Sequence, residues 1–573
     1  MVAVRRREQW HLPDSIFAAL ADGEAILLSA RWLLARAGYV AYEVTLEGGM
    51  KVTAWRIEGE PAPLLTRQDM EATAPDGILT VSKLAEQYEA FKAVAAKTKS
   101  LDGCSTAGED LVDALPLLSV SYCWERPEQP DPHQKTLRSI AARLASEWDG
   151  NGVPTSGLPL YELWGVKDAG VFVDWSSLYQ DVKVANAPVK RTPDQNACFK
   201  RALENMGIWY GHRLVSTLVI NNQQDRLFQY APVDGGYGLD YRRQVDDKGE
   251  PVLMPRSNRG WPFFEEALSR LFKSSHRAYF ISTSATDESI GVNAPMWPMV
   301  LEVKHSKRWS ANETREDRSQ RAPIRPALFR DQLSRKKFTN GKEDEPLCNE
   351  LYAAAARDGF GGMTHLLFQN RGWGDSELDG LCLTLIEVSA PYVTRFDLSE
   401  NEAITSVQQP FDELLEAGCL LAGLHELDLH GCASMAVLPT RFDEMLSLRK
   451  LNLAHCRSLQ NFAGDLPPNL VELSLEGCCE LQALPRTFGK LSRLEELDLE
   501  DCAKLDGLPH SMGKLRVLRK LLLWGCSTLT KMPDLSALTQ LRLSRLPECI
   551  AGWETAGRKA WGYHPIELDI EAN

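Results

Sequence analysis

Six in-phase copies of one short phrase, Leu-x-x-Leu-x-Leu, fill the stretch from Leu424 to Leu543 and restrict how that part of the chain can fold. They read Leu424/Leu427/Leu429/Cys432, Leu448/Leu451/Leu453/Cys456, Leu470/Leu473/Leu475/Cys478, Leu494/Leu497/Leu499/Cys502 and Leu518/Leu521/Leu523/Cys526, fading at Leu538/Leu541/Leu543. The leading leucines are 24, 22, 24, 24 and 20 residues apart. Each unit is a short strand with a looser return, too small to bury its own leucines, so stacked units must share one core. The closing cysteines turn inward as a buried column, acting as small apolar fillers with a weak donor.

A second phrase follows the first: Met435-x-x-Leu438-Pro439, Leu481-x-x-Leu484-Pro485, Leu505-x-x-Leu508-Pro509 and Leu529-x-x-Met532-Pro533, with Phe462-Ala463 departing in the second repeat. The proline ends this outer segment and keeps it out of a ladder. The whole spelling resembles the leucine-rich repeats of plant-type disease-resistance proteins. In such a solenoid the residues flanking the strand leucines face the concave side. The columns are Glu426/Lys450/Glu472/Glu496/Lys520, Asp428/Asn452/Ser474/Asp498/Leu522 and His430/Ala454/Glu476/Glu500/Trp524. Glu472, Glu476, Glu496, Asp498 and Glu500 form an acidic patch, with Lys520, Leu522 and Trp524 beside it. That surface suits a basic-plus-apolar protein partner with Trp524 as hot spot. The competing reading is a solvated face with Trp524 covered by residues 546–563.

The 573 residues allow three or four domains, and 44% hydrophobic with 25% charged residues is ordinary for a globular chain. A formal net charge of −14 argues against nucleic acid and anionic membrane as partners. Thirteen cysteines, five of them in the repeat column and none at Cys-x-x-Cys spacing, fit a reduced, cytoplasmic protein. No apolar run is long enough for a membrane span.

Residues 1–110 read as a small mixed region: a helical pattern over Ile16–Arg36, a hairpin within Tyr39–Ile57 and an amphipathic helix at Leu84–Lys97. From 111 to 285 strands alternate with helices. Leu117–Tyr122, Val171–Asp174, Leu214–Ile220 and Ala278–Thr283 are the strands, which implies a parallel sheet with its ligand edge at the strands' carboxyl ends. Residues 286–325 are a loop or linker, 326–363 a helical adaptor, 364–420 a degenerate repeat or cap, 421–545 the array and 546–573 a terminal cap or tail.

The order Ser121-Tyr122-Cys123-Trp124, Val173-Asp174-Trp175-Ser176-Ser177-Leu178-Tyr179-Gln180, then Arg259-Gly260-Trp261-Pro262-Phe263-Phe264-Glu265-Glu266 resembles TIR and fungal heterokaryon-incompatibility (HET) domains. The resemblance implies a flavodoxin-like α/β fold and self-association. It also places Glu265 on the glutamate, and Trp261 on the tryptophan, of a Trp-Cys-x-x-Glu motif that cleaves the nicotinamide–ribose bond of NAD; Pro262 stands where the cysteine would be. A carboxylate there stabilises a cationic ribosyl species. Tyr122, Trp124, Asp174 and Trp261 would line the substrate's place. The competing readings are a solvated Glu265–Glu266 pair on an amphipathic helix, and an Asp174 that only caps a turn.

No Gly-x-x-x-x-Gly-Lys-Ser/Thr phosphate loop, His-Glu-x-x-His or Gly-x-Ser-x-Gly occurs. No metal and no resident cofactor are expected. The sequence leads to an α/β protein, a flavodoxin-like (TIR/HET-like) parallel-sheet domain plus a C-terminal leucine-rich-repeat solenoid. Its expected role is protein recognition in immunity-like signal transduction, with NAD hydrolysis under the repeats' control as the alternative.

Overall fold

Short runs apolar on every residue can be buried on both faces, and in the first half of the chain they build a mixed sheet. The computed structural model describes residues 13–46, 49–102, 115–122, 131, 134–145, 157–163, 165–181, 190–212, 214–221, 259–272, 278–282, 322–338, 343–390, 393–418 and 423–544. Trp124, residues 222–258, most of the 286–325 linker and the 546–573 tail lie outside them. The chain divides into two compact units, Met1–Glu313 with Ala327–Ala355, and Thr314–Pro326 with Ala356–Asn573.

In the first unit the strands are β1 (Leu27–Ser29), β2 (Tyr39–Thr45), β3 (Lys51–Ile57), β4 (Ile78–Leu79), β5 (Leu117–Ser121), β6 (Gly170–Val173), β7 (Ser216–Asn221) and β8 (Ala278–Ser282). The main sheet runs β4-β1-β6-β5-β7-β8. Its β6, β5, β7 and β8 are mutually parallel, while β1 pairs antiparallel with β4 and β6. Numbered among themselves, the parallel strands stand in the order 2-1-3-4. Helices Lys135–Ala145, Pro193–Glu204, Met206–Gly211 and Gly260–Phe272 occupy the crossovers. A reciprocal cap starts the second of these: Gln195 N–H donates to Thr192 Oγ1 at 3.2 Å and Thr192 N–H to Gln195 Oε1 at 3.0 Å. Under the sheet Phe172 stacks on Trp209 with centroids 4.8 Å apart.

Two expectations change here. The helical pattern of Ile16–Arg36 is interrupted: helix Pro13–Ala21 stops, Gly23 turns with φ +66°, and Leu27–Ser29 becomes a strand before helix Ala30–Arg36. Residues 1–110 therefore do not stand apart, because β1 and β4 extend the sheet of 111–285 with antiparallel strands. Backbone pairing to β6 outweighs local helical preference. The 326–363 segment is likewise divided: Pro326–Ser334 lies almost wholly in the first unit, and the boundary falls inside helix Glu345–Gly362.

The second unit is a leucine-rich-repeat solenoid. Strands β9 (His365–Leu367), β10 (Arg395–Asp397), β11 (Glu426–Asp428), β12 (Lys450–Asn452), β13 (Glu472–Ser474), β14 (Glu496–Asp498), β15 (Lys520–Leu522) and β16 (Arg542–Ser544) form one eight-stranded sheet in chain order. Every neighbouring pair is parallel and in register. The array thus starts at His365, inside the segment read as a degenerate repeat or cap. The spacings β9 to β10 and β10 to β11 are 30 and 31 residues, room for helices Asp375–Val388 and Gln408–Glu416 on the return. Later repeats are shorter, and three of their returns carry only 3-10 turns, Phe442–Glu444, Phe488–Lys490 and His510–Lys514.

The cysteine column is buried and bonds from repeat to repeat. Cys432, Cys456, Cys478, Cys502 and Cys526 donate their thiols to the carbonyls of Leu398, Leu429, Leu453, Leu475 and Leu499 at 3.0–3.4 Å. Asn401 takes the same place one repeat earlier. Its amide donates to Phe368 O and Leu398 O and accepts from the Arg371 and Trp373 N–H groups.

Candidate functional site

In the first unit, the carboxyl end of β5 brings together several residues singled out from the sequence. Ser121 ends β5 fully buried and donates its hydroxyl to Glu265 Oε2. Glu265 is only 4% exposed, so it is not on a solvated helix face. The charged surface position belongs to its neighbour Glu266, which pairs with Arg270 one turn on. Tyr122, 3% exposed, has its phenol pushed well up by burial, then by the charges of Asp174, Asp131 and Tyr210. Asp131 is a helix cap, accepting from Thr136 N–H and Leu137 N–H at 3.0 and 2.8 Å. Asp174 starts the helical turn after β6 and accepts the Trp175 N–H at 2.7 Å. It both caps that turn and raises the Tyr122 phenol.

Trp261 lies on the same helix as Glu265, one turn away. Its indole N–H donates to Asp344 Oδ2 at 2.9 Å, and its ring meets Phe264 edge-on at 5.5 Å. Gly260 is pressed against Phe338, whose ring a Cβ would meet at 2.3 Å. Phe338 and Asp344 thus pack against the Glu265 helix. Burial first, then the carboxylates of Asp344 and Glu265, push the Cys348 thiol up. Among the described residues no cluster of His, Cys, Asp and Glu is placed to hold a metal, and no helix is long and apolar enough to cross a membrane.

In the second unit, strand register places the outward columns side by side. Glu426, Lys450, Glu472, Glu496, Lys520 and Arg542 are successive partners across the sheet. The acidic patch is therefore partly neutralised from within: Lys450 pairs with Glu472 at 2.7 Å and Lys520 with Glu496 at 3.8 Å. Asp498 sits in the second column with its pKa raised, chiefly by burial, and accepts the Glu500 N–H at 2.9 Å. Glu476 and Glu500 lead along the third column to Trp524, which is 52% exposed. Leu522 is half-buried beside it.

Sequence reading missed the first two strands' contribution to this face. Arg395 lies 3.5 Å from both Asp397 and Glu426. Asp397 and Asp428 are strand partners, and Asp428 is pushed up to about 6, first by burial and then by Asp397. The spelling Phe396-Asp397-Leu398, matching Leu427-Asp428-Leu429, was the available signal.

The residues preceding the cysteine or asparagine column also form a line. Glu400, Gly431, His455, Gly477, Asp501 and Gly525 all have positive φ, so side chains alternate with glycines. The reason is spatial: a Cβ on Gly477 would lie 2.2 Å from His455 Nδ1, and one on Gly525 1.9 Å from Asp501 Oδ1. Each left-handed side chain covers the next repeat's glycine.

No protein-family model matches the chain, and no curated protein matches it. Among solved structures, the leucine-rich-repeat domain of the type III effector XopL is similar at 23% identity, covering 34% of this chain and 71% of that one, with TM-score 0.23. A leucine-rich-repeat protein of Leptospira interrogans is similar at 18% identity, covering 33% of this chain and 38% of that one, with TM-score 0.19.

Proposed function

We propose that this is a protein-interaction scaffold whose repeat sheet recognises a partner combining basic side chains with an apolar patch. The observation that carries the reading is the Trp524 column. A tryptophan half exposed at the end of a line of carboxylates offers a large, rigid anchor beside complementary charge. The in-sheet ion pairs take up part of the charge of Glu472 and Glu496, while a positive charge placed at position 496 would repel a basic partner. Trp524→Ala combined with Glu496→Lys is expected to weaken binding by about 2 kcal/mol or more. Affinity capture with the full chain and this double variant, read by quantitative mass spectrometry, is the check. A captured protein depleted with the variant supports the reading; a partner set indifferent to both positions removes this surface from consideration.

The second reading is NAD cleavage in a flavodoxin-like first unit. It is supported by the 2-1-3-4 order of the parallel strands and by the buried Glu265 carboxylate at the carboxyl end of β5, beside the place where strand order switches. There Glu265 would stabilise the ribosyl cation as nicotinamide leaves. Nicotinamide release by concentrated protein is expected to vanish in Glu265→Gln while Ser121→Ala retains part of it. No release from the folded wild-type chain leaves the scaffold reading alone.

A further inference from the structure

The hairpin β2–β3 is a separate two-stranded sheet, and its two edges differ. Leu46 N–H bonds to Met50 O and Glu58 N–H to Gly38 O. With the register Tyr39↔Ile57 through Thr45↔Lys51, the even-numbered residues of β2 therefore bond to β3. The odd-numbered residues of both strands point their backbone groups outward. On β3 the middle of that edge is taken, with Thr53 N–H donating to Glu162 Oε2 at 2.5 Å and helix Gly157–Leu163 packed against the strand. On β2 the outward groups of Tyr39, Ala41, Glu43 and Thr45 bond to nothing among the described residues. This edge also lacks the usual guards, since residues 39–45 contain neither lysine nor proline. Val40 and Tyr42 are 44% and 39% exposed.

We propose that β2 pairs antiparallel with β2 of a second copy of this chain about a twofold axis at Tyr42, joining two hairpins into a four-stranded sheet. The occupant follows from the strand's self-complementarity. Centred on Tyr42, the pairing sets Ala41 against Glu43 and Tyr39 against Thr45 as hydrogen-bonded pairs, so every outward N–H and C=O of the strand is used. On the other face Tyr42 meets Tyr42, and Val40 meets Val44, an apolar cross-strand set. Glu43, the only charge on the strand, opposes alanine and brings its own counter-ion, Lys51 at 2.6 Å. Because Glu162 occupies the middle of β3's edge while β2's is open among the described residues, the contact closes at two copies instead of growing into a fibre.

Sedimentation of the full chain across the micromolar range tests this. The wild type is expected to dimerise. Ala41→Pro removes an outward N–H that the hairpin does not use, so it leaves the fold intact and weakens association by about tenfold or more. Circular dichroism verifies the fold. Tyr42→Cys places two thiols on a non-hydrogen-bonded pair with Cα atoms about 4.5 Å apart, within disulfide reach. Mild oxidation should yield a covalent dimer beyond the wild-type background, whereas Ile57→Cys, 67% exposed but off the edge, should not. A wild type that stays monomeric, a dimer that survives Ala41→Pro, or a dimer in which Tyr42→Cys fails to cross-link each overturns the proposal.

Discussion

Gly477→Ala is expected to destabilise the repeat array by about 2–5 kcal/mol. Two costs add: a Cβ in the left-handed region, roughly 1–2 kcal/mol, and overpacking, roughly 1–3 kcal/mol. The overpacking is specific, because the new Cβ would sit 2.2 Å from His455 Nδ1. His455 is itself held at φ +59° and meets the His430 ring edge-on at 5.1 Å, so withdrawing its imidazole breaks that contact. Removing that imidazole should recover the second cost and leave the first. In a double-mutant cycle with His455→Gly, the coupling is expected to be about 1 kcal/mol or more in favour of the pair. Urea denaturation with hydrogen exchange on repeat peptides measures it. Strict additivity would mean that the alternation of glycine and side chain along this column has another origin.

Asp428→Asn is expected to stabilise the protein by about 2 kcal/mol at pH 7.5 and by little at pH 4. Asp428 sits on the strand next to Asp397, and burial followed by that like charge raises its pKa from 3.8 to about 6. A carboxyl raised on folding holds its proton better in the folded state. Its favourable contribution is complete below about pH 4 and lost as pH rises through about 6. A rise of that size corresponds to about 3 kcal/mol, an upper value because Asp397 shares the repulsion. Asparagine fits the place: Asn452, in the same column one repeat on, accepts the Ala454 N–H at 3.1 Å just as Asp428 accepts the His430 N–H at 2.9 Å. The amide keeps that turn and sheds the charge. Denaturation midpoints of the two proteins at pH 4 and 7.5 decide it: equal gaps at both pH values would remove ionisation of Asp428 as the cause.

The repeats were legible because their signal is periodic and local. A leucine every two or three residues, returning every 20 to 24, states strand, inward face and stacking at once. The same register assigned Trp524 and the carboxylate columns to the outward face before any contact was known. Their mutual pairing was less visible. Lys450–Glu472 and Lys520–Glu496 depend on side chains reaching across strands, which one-dimensional spacing indicates only as neighbourhood.

The first unit divides along the same line. Its apolar runs determined four parallel strands, since segments buried on both faces leave a continuous hydrophobic trace. Tertiary structure decided where the remaining pieces go. Leu27–Ser29 lies inside a helical pattern and becomes a strand because β6 offers it a ladder. Glu265 has the spacing of a surface glutamate and is buried because Ser121, 144 residues earlier, presents a hydroxyl to it. Periodicity reports which residues tend inward, a property of single side chains. The partner that makes a buried carboxylate tolerable, or an edge strand extendable, is supplied by distant chain and exists only once the chain has folded.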